Sequence, residues 1–221
     1  MKKGKYSNGR ARKPVALLLA LVLVLGIAIG GTIAWLTDTT GEVKNTFTTS
    51  DVDIDLKETK TDFQMVPGHT IEKDPIVTVL KESEDCWLFV EITESATLDT
   101  YINYAIAAGW TEIEDGDGNA NTTVIARKVF AADEDQDFEI IGYTNDEDEF
   151  IVNKVLVNGN VTKDKMDDLG EADAVQPTLT FQAYATQLWK SNKPADGATE
   201  EAIAAAQFTA AEAWALAKPT P

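Results

Sequence analysis

Cys86-Trp87-Leu88-Phe89-Val90-Glu91-Ile92-Thr93 is the stretch that decides the fold. Successive side chains of an extended backbone point to opposite sides. Trp87, Phe89 and Glu91 therefore share one face, and Leu88, Val90 and Ile92 share the other. The second face is purely aliphatic, so the segment reads as a strand with that face in a core.

The same period of two recurs upstream, and further strand-like segments follow on both sides. Upstream, Val52-Asp53-Ile54-Asp55-Leu56 alternates strictly, with Phe47 spaced ahead of it, and Ile76 to Leu80 is β-branched and strand-like. Met65-Val66-Pro67-Gly68 reads as a turn, and Lys81 to Asp85 as a polar hairpin loop. Downstream, the period changes over Ser95 to Ala108. Leu98, Tyr101, Ile102, Ala105 and Ile106 recur at three and four, which predicts a short amphipathic helix capped by Thr97 and ended by Gly109. Trp110 to Ile113 and Thr122 to Phe130 read as two arms of a hairpin, and Phe150 to Val157 as one further strand before the Asn158-Gly159 turn. Thr162 to Leu169 reads as a surface helical turn or two. Thr178 to Leu188 is a long strand introduced by Pro177. Thr199 to Lys218 is helical and Ala-rich, and divides at Gln207-Phe208 because Thr209-Ala210-Ala211-Glu212 is a capping box. About seven to nine short strands divided by turns predict a mostly-β, antiparallel sandwich with a short helical insertion and a helical tail.

The N-terminus reads differently. Lys2, Lys3, Lys5, Arg10, Arg12 and Lys13 form a basic head, and Val15 to Ile29 holds no polar side chain. Small residues follow at Gly30, Gly31, Thr32 and Ala34. That order is a secretory signal peptide, with the cut between Ala34 and Trp35. The alternative is an uncleaved anchor, since residues 14–37 are 24 residues without a charge. At 1.5 Å per residue they span a bilayer core of about 30 Å. Either way the rest of the chain lies outside the cytoplasm, and membrane contact is confined to this segment. The domain reading is a signal peptide over 1–34, a β-sandwich over 35–190, and a linker with short helices over 191–221.

The full chain holds 19 basic and 37 acidic residues, a net charge of −18. Without the six basic residues of 1–34, it is 13 against 37. So acidic a chain excludes nucleic acid and anionic membrane as partners, because both need basic patches. Hydrophobic residues at 44% exclude general disorder. One cysteine, Cys86, rules out an internal disulfide framework and reads as a buried strand residue. One histidine, His69, sits in a turn. With no HExxH, no His/Cys cluster and no G-x-S-x-G, neither an ordinary zinc site nor a serine triad is assembled, and no cofactor is implied.

The metal candidates are Asp115, Asp117 and Asn119, whose oxygens alternate like the start of a calcium loop. Ala120 stands where that loop needs Gly, and Ala126 where it needs Glu. A Gly- and Asn-rich hairpin turn explains the segment without a metal. The acidic clusters at 133–137 and 145–149 read as solvated loops, with loose surface calcium as the other reading. Nothing singles out a carboxylate pair for glycosidase work. Trp87, Trp110 and Trp189 are sugar-stacking candidates, but aromatic strand residues more often belong to a core.

Ordered matches along the chain resemble the TasA/camelysin-like proteins exported by Gram-positive bacteria, whose signal peptides are cut by the W-type signal peptidase. Gly31-Thr32-Ile33-Ala34-Trp35-Leu36-Thr37-Asp38 is similar to the family's G-T-x-A-x-x-T/S-D junction. Asn45-Thr46-Phe47-Thr48 and Val52-Asp53-Ile54-Asp55-Leu56 resemble its N-x-F-T…V-D-I-x-L strand. Pro67-Gly68 with Lys73-Asp74-Pro75-Ile76-Val77-Thr78-Val79, then Gln176 to Gln187, then Ala211-Glu212-Ala213-Trp214, resemble its later elements. The acidic middle, 131–149, departs from the pattern and reads as a loop insertion.

The resemblance implies a jelly-roll-like sandwich. It also implies export to the surface or extracellular matrix of a Gram-positive bacterium, and self-association into biofilm fibres. In such fibres an N-terminal strand completes the sheet of the next subunit. Trp35, Leu36, Val43 and Phe47 would belong to that assembly strand, which adjoins Phe47 to Leu56. Camelysin is described as a surface metallopeptidase, so a surface hydrolase is an alternative, although this chain offers no zinc-peptidase motif. A calcium-stabilised adhesion module is the third reading.

Overall fold

The alternating stretch is strand in the structure, and its neighbours build outward from it. The computed structural model describes residues 51–60, 63–114, 118–171 and 173–218, all of them in a unit that begins at Thr49. The expected signal segment 1–34, the expected cut between Ala34 and Trp35 and the expected assembly residues Trp35, Leu36, Val43 and Phe47 lie outside the described residues, as do Asp115 and Asp117.

In chain order come β1 (Ile54–Lys57), β2 (Thr70–Glu72), β3 (Ile76–Val79) and β4 (Cys86–Glu94). One helical turn, α1 (Leu98–Tyr101), leads to β5 (Ile102–Asn103), β6 (Ala105–Ile106), β7 (Thr111–Ile113) and β8 (Thr122–Val129). Next are β9 (Gln136–Glu139), β10 (Ile141–Thr144), β11 (Phe150–Val152) and β12 (Lys154–Val157). The helix α2 (Lys163–Asp168), the strand β13 (Leu179–Gln187) and two helices, α3 (Glu200–Ala206) and α4 (Ala210–Ala217), follow. The chain is mostly β with antiparallel pairing, as expected of a β-sandwich.

The largest sheet has the order β13-β4-β8-β7. β13 and β4 pair without a bulge from Leu179↔Glu94 to Gln187↔Cys86. Leu88, Val90 and Ile92 are fully buried, packed with Val77 of β3, Ile141 of β10 and Val157 of β12. Each such side chain contributes about 1.5–3 kcal/mol by leaving water. The opposite face is covered too. Phe89 is fully buried beneath Trp214 of α4, with ring centroids 5.4 Å apart. The three smaller sheets have the orders β1-β3-β9, β11-β10-β6 and β2-β12-β5.

Five expectations need correction. Lys81 to Asp85 is no hairpin loop: β3 and β4 belong to different sheets, and the segment crosses between them. Its Ser83 and Asp85 are buried because their oxygens serve distant backbone donors, at Asp53 and Ala131. The helix over 95–108 stops at Tyr101, because β12 and β10 offer sheet partners to Ile102–Asn103 and Ala105–Ile106. Thr97 precedes that turn without capping it, and Gly109 sits at φ +88 ahead of β7 rather than at a helix end. The acidic middle is not a loop: it supplies β9 and β10, with Ile140 fully buried between them and Ile141 fully buried at the start of β10. Finally, 150–157 is two strands, broken at Asn153 with φ +58. These breaks raise the number of strands among the described residues to thirteen.

Other expectations hold. β7 and β8 form the hairpin, β13 is the long strand, and the C-terminal helices divide at Gln207. The Thr209–Glu212 capping box is formed in both directions. The segment 191–218 packs in the same unit as the sheets, where Trp87 Nε1 donates to the Phe208 carbonyl at 2.8 Å.

Candidate functional site

An edge strand offers one side of its backbone, and strand parity says which residues do the offering. Ser95 N–H donates to the Thr178 carbonyl, and Leu188 N–H to the Asp85 carbonyl, each at 2.9 Å. Thr178 and Leu188 thus turn their main chains toward β4. In a bulge-free antiparallel pair the direction alternates. Leu179, Phe181, Ala183, Ala185 and Gln187 therefore aim N–H and C=O away from β4, and no described residue bonds to them. The same reasoning applies to β1. Leu80 N–H donates to the Asp53 carbonyl at 2.9 Å. Asp53 and Asp55 thus face β3, while Ile54 and Leu56 face outward, again without a described partner. β1 lies beside β13 without pairing to it.

Where the two edges diverge, a cavity of about 630 Å³ opens between Leu56–Glu58 and Leu179–Phe181. Its walls are mainly apolar, among them Phe63, Met65 and Ile71. Lys73 and Glu58 pair within it, their side chains 10% and 17% exposed. The Lys73 ammonium lies 5.4 Å from the Phe63 ring centroid and 5.2 Å from that of Phe181. Two backbone ties fix the pair. Lys73 N–H donates to the Asn153 carbonyl at 3.1 Å. Thr59 donates to Asp74 through its N–H at 3.0 Å and through its hydroxyl. The hydroxyl bond, above all, holds the Asp74 carboxyl below the usual carboxylate range. The arrangement suits an extended apolar segment: backbone groups along β13 to pair with, and a cavity to take side chains.

The structure scatters the other candidates. Asn119 is exposed, and its Oδ1 accepts the Asn121 N–H at 3.1 Å, an Asx-type turn into β8. His69 is exposed in a turn whose Gly68 has φ +77. The Cys86 thiol is buried, and that burial, with the nearby Asp85 charge, pushes it up to about 12, so it is no nucleophile at neutral pH. The indole N–H groups of Trp87, Trp110 and Trp189 are all bonded within the fold. Among the described residues no three His, Cys, Asp or Glu side chains gather as a metal site. None of the described helices is long and apolar enough to cross a membrane.

The pairing of Lys73 with Glu58 has no local signal in the sequence: Lys73 directly follows β2 and Glu58 directly follows β1. Their proximity depends on β1 pairing with β3, which residue spacing does not reveal. No family model, curated protein or solved structure matches this chain.

Proposed function

We propose that the chain is an exported structural subunit that self-associates at the surface or in the matrix of a Gram-positive bacterium. In this reading the segment from Trp35 to Phe47 of one copy adds as a strand to the next. The observation that carries the proposal is the outer edge of β13, which aims five residues of backbone away from β4 with no described partner. Exposed edges of this kind are templates for strand addition. The apolar cavity beside that edge matches the apolar residues Trp35, Leu36, Val43 and Phe47.

The test compares protein beginning at Trp35 with a version lacking residues 35–45. Electron microscopy should find fibres only with the intact chain, while circular dichroism finds both folded. Unchanged filaments from the shortened chain would refute the proposal.

A further inference from the structure

Lys73 stands apart from every other paired lysine of the described residues. In the remaining ion pairs the lysine side chain is 29% to 83% exposed, against 10% for Lys73. An ammonium has three N–H donors. Among the described residues the Lys73 ammonium finds one hydrogen-bond acceptor, the Glu58 carboxylate, and otherwise faces the rings of Phe63 and Phe181. Taking two charges out of water costs several kcal/mol per ion, and the cost is repaid only where further hydrogen bonds complete the pair. Among the described residues, only the Glu58 bond completes the ammonium's donors.

We propose that Lys73 and Glu58 are joined by an amide bond, Nζ to Cδ, cross-linking the end of β1 to the turn ahead of β3. The step needs no co-reactant. One proton passes along the hydrogen bond from the ammonium to the carboxylate, leaving an amine and a carboxylic acid. The Nζ lone pair adds to Cδ. The acid's hydroxyl leaves with a second Nζ proton as water, and the amide keeps the third proton as its N–H. Atoms and charge balance, and nothing is oxidised or reduced.

Two features favour condensation. In water the separated ions are favoured because both are solvated, a preference that shrinks where burial has already removed that solvation. Proximity supplies the rate: the ties from Thr59 to Asp74 and from Lys73 to Asn153 hold both main chains, so the encounter is intramolecular and prearranged. The product replaces a buried ion pair by a neutral group and closes the loop between residues 58 and 73.

Tryptic peptide mapping of the purified full chain tests this directly. An amidated Lys73 resists trypsin, so residues 58–60 should appear as a branch on the peptide 61–81. The species should be lighter than its parts by one water, with fragment ions placing the link at Glu58 and Lys73. Mapping is needed because Asp115-Gly116 and Asp117-Gly118 can also lose water by cyclising. Lys73→Met and Glu58→Ala should each yield linear peptides only. Glu58→Gln should give the same branch with ammonia lost instead of water. Free 58–60 together with cleavage after Lys73 in the unaltered chain would overturn the proposal.

Discussion

Asp85 serves four donors from two distant segments. Its Oδ1 accepts the Ala131 N–H at 2.8 Å, and its Oδ2 accepts Trp189 Nε1 at 2.9 Å and Lys193 Nζ at 2.8 Å. Its carbonyl takes the Leu188 N–H. Burial opposes ionisation, but the bonds from Lys193, Ala131 and Trp189 outweigh it and hold the carboxyl below its ordinary value. Asp85→Ala removes the acceptor of the Ala131 and Trp189 N–H groups, which are only partly shielded, at a cost of about 1–3 kcal/mol, readable from urea unfolding. The sign with pH follows from linkage. A lowered folded pKa gives stability that is present above the unfolded value of about 3.9 and is lost as pH falls through the folded one. The urea midpoint of the unaltered chain should therefore fall on acidification below about pH 4, and Asp85→Ala should flatten that fall.

Nothing in the residues 81–85 announces this role. Asp85 reads as a polar loop residue because its partners lie 46 and 104 positions away. By contrast, Cys86 and His69 were legible: a thiol amid apolar strand residues is buried, and a histidine after Pro-Gly is in a turn.

Among the elements, α4 was the most legible and α1 the least. The capping box of α4 is a local signal, and the structure forms it with Thr209 N–H donating to Glu212 at 2.8 Å. Bonds from Lys190 and from Thr209 hold the Glu212 carboxyl down at about 2. The cap's contribution is present above the unfolded carboxyl value of 4.5 and lost as pH falls toward about 2. Docking of α4, read by tryptophan fluorescence, should weaken gradually as pH falls from 4.5 toward about 2, while the Trp214 packing persists. Trp214→Ala removes the lid over Phe89 and Tyr184 and should cost about 3–5 kcal/mol, with new dye binding on the bared sheet face. The predicted helix over 95–108 failed because its three-and-four spacing is satisfied equally by one turn and two short strands that bury Ile102 in the same core. On β13, Ala183→Pro deletes one outward N–H and spares the β4 ladder. Edge strands tolerate proline. The variant should stay folded by circular dichroism and lose self-association by light scattering.

At the scale of the molecule, charge sets the conditions for contact between copies. The chain carries −18 overall, and its residues beyond 1–34 are more acidic still. Like-charged copies repel over about 10 Å at 0.1 M salt. Raising salt, or bringing pH toward the sequence pI near 4.3, should increase self-association in sedimentation. Loss of association with added salt would contradict that electrostatic account.

The sequence by itself determined the class. Period-two alternation named β1 and β4, turn residues and Pro177 marked off β8 and β13, and the capping box placed α4, because each signal lies within a few residues of the feature it specifies. The tertiary structure alone decided which strands share a sheet, that 81–85 crosses between sheets, and that the acidic middle supplies core strands. It alone brought Lys73 to Glu58 and left the β13 edge beside an apolar cavity. These depend on pairing between residues far apart in the chain, where the free energy lies in burial and in hydrogen bonds that local spacing does not encode.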